Sequence, residues 1–216
     1  AEAAGQAFYN TSKFTLRDLK SRGSQQQLLA DFEDYLNGFS QNVQDILENF
    51  KFRNQLSTLS KNDAIGTLIG KFLDPEIDLS PAGIDNHAMG TVFEELVRRF
   101  NEENNEEAGE HCTPRDAVRL MANLVFRPVE SQLKSGTYLL YDCACGTGGM
   151  LTVAEETLKA IGTKRKQEIV SLLYGQEINP ETYAVCKADM LLKGEGENAD
   201  HIVGSRLGRT AVDRAQ

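Results

Sequence analysis

The sequence predicts an α/β chain in which a helical N-terminal region precedes alternating strands and helices, and three observations carry this. Apolar residues recur at helical spacing through the first hundred positions. A glycine-rich turn at 142–149 joins a strand pattern to a helix pattern, and a second apolar run at 169–177 ends in an acid. The 216 residues, 40% of them hydrophobic, suffice for one large or two small domains with real cores.

Residues 1–24 are polar and punctuated by glycine, with Phe14, Leu16 and Leu19 as anchors, which predicts loop and a short helix. From Gln25 to Phe52, Leu28, Phe32, Tyr35, Phe39, Val43, Ile46 and Phe50 follow at intervals of three or four, the spacing of one helical stripe. Core packing is the ordinary use of such a stripe; packing on another subunit is the alternative. Ser60-Lys61-Asn62-Asp63 reads as a capping-box-like start for a helix bearing Ile65, Leu68, Ile69 and Phe72, closed by Pro75. Asn86 can cap a further helix with Met89, Val92, Phe93, Leu96, Val97 and Phe100 on its buried side. Asn101 to Glu110 is too charged to bury and reads as a mobile loop. Thr113-Pro114-Arg115-Asp116 then offers a capping hydroxyl, a proline for the first helical position and an early acid, ahead of Val118, Met121 and Val125.

The chemistry concentrates in the next segment. Tyr138-Leu139-Leu140-Tyr141 runs into Asp142, then Gly146-Thr147-Gly148-Gly149, then the helical pattern from Met150 onward. Glycines admit backbone angles that other residues avoid and leave room for a ligand against the amides that open a helix. The dinucleotide-binding fingerprint calls for a third glycine where this chain has Leu151. It also calls for an acid about 20 residues on, where Thr163-Lys164-Arg165-Lys166 stands. The second strand candidate, Ile169 to Glu177, ends in a carboxylate where a ribose acceptor would sit. A plain structural turn beside a chance acid stays open at this point.

Thirty-two acidic against 23 basic residues give a net charge of -9, which argues against independent binding of nucleic acid, because phosphates require a basic surface. Cys112, Cys143, Cys145 and Cys186 lack the spacing of a disulfide framework, and neither a signal peptide nor a long apolar run is present, so a reducing cytoplasm is expected. Cys143 and Cys145 with Cys112 and His111 have the wrong spacing for standard zinc fingers, so no metal is expected.

Three ordered segments resemble one family. They are Gly109-Glu110-His111-Cys112-Thr113-Pro114-Arg115, then Asp142-Cys143-Ala144-Cys145-Gly146-Thr147-Gly148-Gly149-Met150-Leu151, then Gly175-Gln176-Glu177-Ile178-Asn179-Pro180. With Phe8-Tyr9-Asn10-Thr11-Ser12 and the helical region, they resemble the adenine-N6 DNA methyltransferase subunit of type I restriction-modification systems over about Phe8 to Gly204. The resemblance implies a helical domain over 1–107, followed over 108–216 by part of a Rossmann-like domain that binds S-adenosylmethionine (SAM).

Carried over by position, Glu110, His111, Cys112, Thr113, Pro114 and Arg115 match the motif over the methionine part of SAM. Ala144, Gly146, Thr147, Gly148 and Gly149 fall in the turn under the cofactor, and Asp142 would order that turn near the methionine ammonium. Glu177 matches the ribose acid, with Ile178 beside it. The implied partners are DNA, a specificity subunit and a restriction subunit, with no membrane. The chain departs from the family at Cys143, where proline is usual, and at Gly204-Ser205, where Gly-Asp is common. It has no Asn-Pro-Pro-aromatic motif, the group that holds the target adenine; its one Asn-Pro, Asn179-Pro180, is followed by Glu181. No catalytic residue is therefore assigned, and the chain alone is expected to be inactive. A non-catalytic assembly module with a vestigial cofactor fold, or a nicotinamide-dependent oxidoreductase, are the alternatives.

Overall fold

The computed structural model describes residues 7–80 and 113–204, with scattered positions between 82 and 99. The chain divides into two compact units, Ala1–Val92 with Leu191–Gly196, and Phe93–Met190 with Glu197–Gln216.

The first unit is helical. Its short α1, Leu16–Lys20, begins with a capping box: the Thr15 N–H donates to Asp18 Oδ2 at 2.8 Å, and the Asp18 N–H donates to Thr15 Oγ1 at 3.3 Å. Helices α2 (Gln25–Asn37), α3 (Gln41–Asn49), α4 (Phe52–Lys61) and α5 (Ala64–Phe72) follow. Leu19, Leu28, Phe32, Leu36, Leu56, Ile65 and Ile69 form their common core.

The stripe expected as one helix from Gln25 to Phe52 is broken twice. At Gly38, the space that a Cβ would need is held by Asn10 Oδ1 and the Ser12 amide, because the segment 9–12 crosses here. Asn10 pairs with Phe39 in an isolated antiparallel bridge, the Thr11 N–H donates to Gly38 O at 2.8 Å, and Asn10 Nδ2 donates to Tyr35 O at 3.0 Å. The second break is Lys51, which adopts φ 52°. Apolar spacing survives both breaks because each segment faces the same core, so periodicity alone did not reveal them. The capping box expected at Ser60 is also absent: α4 runs through Ser60 to Lys61, and α5 starts after Asp63, whose carboxylate accepts from Gln25. Of the helix expected after Asn86, positions 88, 89, 92, 93, 95, 96 and 99 are described and helical, but Val92 and Leu96, expected on its buried side, are exposed; the loop Asn101 to Glu110 lies outside the described residues.

In the second unit α6 (Arg115–Phe126) has Pro114 at the cap position and no side-chain cap hydrogen bond, so the expected start shifts by one residue. A 3-10 segment, Arg127–Gln132, leads to β1 (Gly136–Asp142), followed by α7 (Gly149–Arg165), β2 (Ile169–Glu177), α8 (Pro180–Leu192), α9 (Gly196–Asp200) and β3 (Ile202–Gly204). The strands lie side by side in the order β1-β2-β3, all parallel, with Asp142 opposite Gly175 and Glu177 opposite Gly204. Parallel neighbours require a crossover, and α7 provides the first. On one sheet face Tyr138, Leu140 and Ile169 pack with Val118, Ala122, Phe126, Val153, Leu158 and Ile161 of α6 and α7. The alternate residues Leu139 and Tyr141 are exposed, the period of two expected of a strand covered on one face. Where β3 is too short to pair with the middle of β2, Asn198 of α9 accepts the Leu173 N–H at 3.0 Å.

Candidate functional site

Three chain ends meet at the carboxyl edge of the sheet: the turn after β1, the end of β2 and the end of β3. The Asp142 carboxylate accepts the Ala144 N–H at 3.1 Å, which bends the chain out of β1. The Gly148 N–H donates to Cys145 O at 2.8 Å and closes the turn. Gly146 and Gly148 adopt φ 56° and 86°, the left-handed region in which a Cβ is strained.

Gly148 has a second constraint, since a Cβ there would stand 2.8 Å from Cys186 Sγ on α8. The protein's own packing thus accounts for that glycine. Gly149 is different. Its φ lies outside the left-handed region, it is exposed, and nothing stands within 4 Å of where its Cβ would be. No internal packing demands a glycine here, and its absent side chain leaves open the space over the first turn of α7. Thr152 makes the first intrahelical bond, to Gly148 O at 3.0 Å, so the amides of Gly149, Met150 and Leu151 have no acceptor within the helix.

Glu177 joins the two loops. Its Oε2 accepts the Gly146 N–H at 2.9 Å and its Oε1 accepts the Asn179 N–H at 2.7 Å. A carboxylate offers about four acceptor positions, so after these two bonds it retains capacity for ligand hydroxyls. Behind it, Cys145 is buried against Gly175, where a Cβ would come within 2.9 Å of its Sγ and 2.8 Å of Ile202 Cδ1. That contact gives the glycine of Gly175-Gln176-Glu177 a physical reason. Asn179 Oδ1 accepts the N–H groups of Glu181 at 2.9 Å and Thr182 at 3.2 Å, so Asn179 caps α8 and Pro180 opens it.

Of the residues singled out in the sequence, Asp142, Ala144, Gly146, Thr147, Gly148, Gly149 and Glu177 are gathered at this edge, with Ile178 beside Glu177 and 78% exposed. Thr113, Pro114 and Arg115 stand exposed where α6 begins, while Glu110, His111 and Cys112 lie outside the described residues. Sequence reasoning missed Cys186: nothing in its helical pattern marks it as the residue beneath the turn. Cys143 is exposed and Cys145 buried, and among the described residues no group of three His, Cys, Asp or Glu is arranged to hold a metal ion.

A helical region followed by a small parallel sheet with a glycine turn at its carboxyl edge is a mixed α/β arrangement consistent with the methyltransferase fold. A solved structure supports this: the methyltransferase subunit of a type I restriction-modification system from Streptococcus thermophilus matches 90% of this chain and 40% of its own length, with a TM-score of 0.62 and 20% identity. The family model for N-6 DNA methylase matches residues 84–212, and the model for the HsdM N-terminal domain matches residues 1–72. The chain belongs to the N-6 DNA methylase family, and these two models in this order are those of a type I modification subunit.

Among its relatives, the type I restriction enzyme MpnII methylase subunit of Mycoplasma pneumoniae is 34% identical over 49% of this chain. The EcoEI methylase subunit of Escherichia coli is 32% identical over 60% of it. The EcoKI methylase subunit of Escherichia coli K12 is 24% identical over 97%. These matches span 18%, 25% and 39% of the respective relatives.

Proposed function

We propose that this chain forms the cofactor-holding part of a type I modification subunit, an enzyme that transfers a methyl group from SAM to N6 of adenine in DNA. The observation that carries the reading is Gly149: an exposed glycine that the fold does not need, with nothing within 4 Å of its missing Cβ, in the turn whose Gly146 amide is held by the carboxylate that ends the neighbouring strand. That is the shape of a cradle which a ligand, and not the protein, fills. SAM would supply a methyl group already activated on a sulfonium centre, so positioning can provide much of the rate.

The residues of the chain then have distinct tasks. The Thr147-Gly148-Gly149 turn lies under the cofactor, and Asp142 orders that turn and places a negative charge near the methionine ammonium. Glu177 accepts from ribose hydroxyls with the capacity left after Gly146 and Asn179. Ile178 offers an apolar surface to the adenine ring, and the segment Glu110 to Arg115 covers the methionine part. A helical domain to about residue 107 precedes this cofactor domain, which begins at 108. Target choice and DNA contact fall to a specificity subunit, which suits a chain of net charge -9, and a restriction subunit joins the assembly. No described helix is long and apolar enough to cross a membrane. We place the chain in the cytoplasm, with the DNA it would modify.

A nicotinamide dinucleotide is the competing ligand, because an acid at the end of the second strand also suits its ribose. Calorimetry with SAM, S-adenosylhomocysteine and NAD separates the two. The expected outcome is saturable binding of the two methionine-derived nucleosides and none of NAD; preference for NAD would overturn the reading.

A further inference from the structure

Two buried thiols lie beneath the glycine turn, and neither is among the residues assigned above to the cofactor. Cys145 is 5% exposed and Cys186 is fully buried. The Cys145 N–H donates to Gln176 O at 2.9 Å, and its sulfur occupies the place where Gly175 would carry a Cβ. Cys186 does the same to the turn itself, its sulfur filling the space under Gly148, with Met190 Cε next nearest at 3.8 Å. Each thiol is thus seated on a glycine, one on the strand beside the turn and one in the turn.

We propose that Cys145 and Cys186 are positioning residues that fix the height of the glycine turn over the sheet and α8, and so set the depth of the cofactor cradle. The turn needs such a support. Two of its residues are glycines in the left-handed region, which removes the side-chain contacts that would otherwise hold a loop in place. Its hydrogen bonds to the neighbouring strand run to Glu177 and Gln176 at the end of β2, whereas Cys186 bears on it from α8. Sulfur is large and unbranched, so it fills the gap without the second methyl that would lift the turn. The inference rests on the cofactor reading above.

A double-mutant cycle tests it on the whole chain, with SAM affinity by calorimetry and Tm as paired readouts. Gly148→Ala alone drives a Cβ against Cys186 Sγ, adds left-handed backbone strain that persists in the double variant, and is expected to weaken SAM binding by at least about tenfold. Cys186→Ala removes that sulfur and leaves the added Cβ with neighbours at 3.8 and 3.9 Å, ordinary contact distances. Combining the two should therefore recover about threefold or more of the lost affinity and give less than the summed loss in Tm. Losses that simply add, in both readouts, overturn the proposal.

Should Gly148→Ala fail to fold, Cys186→Val provides the second route, because its branch presses on the turn from below. It is expected to cost about tenfold in SAM affinity. Leu158→Ala, in the core between α6 and α7, should lower Tm comparably and leave the affinity within about twofold. Wild-type affinity in Cys186→Val sinks the role of the thiols. A wild-type chain that binds no SAM sinks the cofactor reading, and the thiols' role falls with it.

Discussion

At the scale of single residues, Glu177 has two tasks that oppose simple interpretation of its loss. It is the candidate acceptor for a ribose, and it already holds the amides of Gly146 and Asn179. Replacing it by alanine leaves both amides without their carboxylate, and hydrogen bonds to charged groups contribute about 1.5–3 kcal/mol each. Glu177→Ala is therefore expected to lower Tm as well as to weaken SAM binding by about tenfold or more. A variant with unchanged affinity by calorimetry removes Glu177 from the site, and one with unchanged Tm shows that the two amides find water instead. Gly149 gives the cleaner probe. A Cβ there meets no atom within 4 Å beyond its chain neighbours and its own helix, and no left-handed strain, so Gly149→Leu should change stability by no more than about 0.5 kcal/mol. Its side chain would fill the cradle, and SAM affinity should drop by about tenfold or more. Equal loss in a thermal melt would show instead that the glycine serves the fold.

At the scale of elements, the link between the 3-10 segment and the end of α7 is electrostatic. Glu130 accepts from Lys164 at 3.1 Å and from Arg127 at 3.0 Å, and these two bonds, Lys164 first, hold its carboxyl below the usual range. A carboxylate with a lowered folded-state value stabilises the protein above its unfolded value, and the contribution is lost as pH falls through the folded one. The Tm difference between Glu130→Gln and the wild type should therefore be present at neutral pH and close as pH is lowered below the ordinary glutamate range. A difference that persists in acid assigns the effect to packing. Elements of this kind differ in how readable they were. Strand β2 was legible to the residue, because a run of β-branched and apolar residues between Glu168 and the Asn179-Pro180 cap has one natural reading. The break at Gly38 was not, because it depends on Asn10 arriving from 28 residues away, and a single-window pattern carries no such contact. The candidate site was legible in Gly146 and Gly148, which backbone angle dictates, and in its acids, whose carboxylates hold the turn's amides. Cys186 was illegible, since any small apolar residue continues the pattern of α8.

At the scale of the whole molecule, holding a methyl donor and transferring its methyl group are separable. Transfer to N6 requires an adenine flipped out of the duplex, with acceptors for its amino hydrogens and a ring to stack on it. The sequence offers one Asn-Pro, and the structure commits it elsewhere: Asn179 Oδ1 accepts the Glu181 and Thr182 amides, which makes it the cap of α8. The excess of 32 acids over 23 bases leaves the phosphate backbone without the basic surface that non-specific binding needs. This 216-residue chain is therefore expected to bind SAM and yet transfer no label from tritiated SAM to unmethylated duplex DNA, alone or with a specificity subunit added. The same assay with a full-length modification subunit as positive control distinguishes an inactive chain from an inactive preparation. Incorporation by the chain alone would mean that another group in it holds the adenine, and the exposed Tyr141 near the end of the sheet, whose ring could stack on a base, would be the first position to substitute.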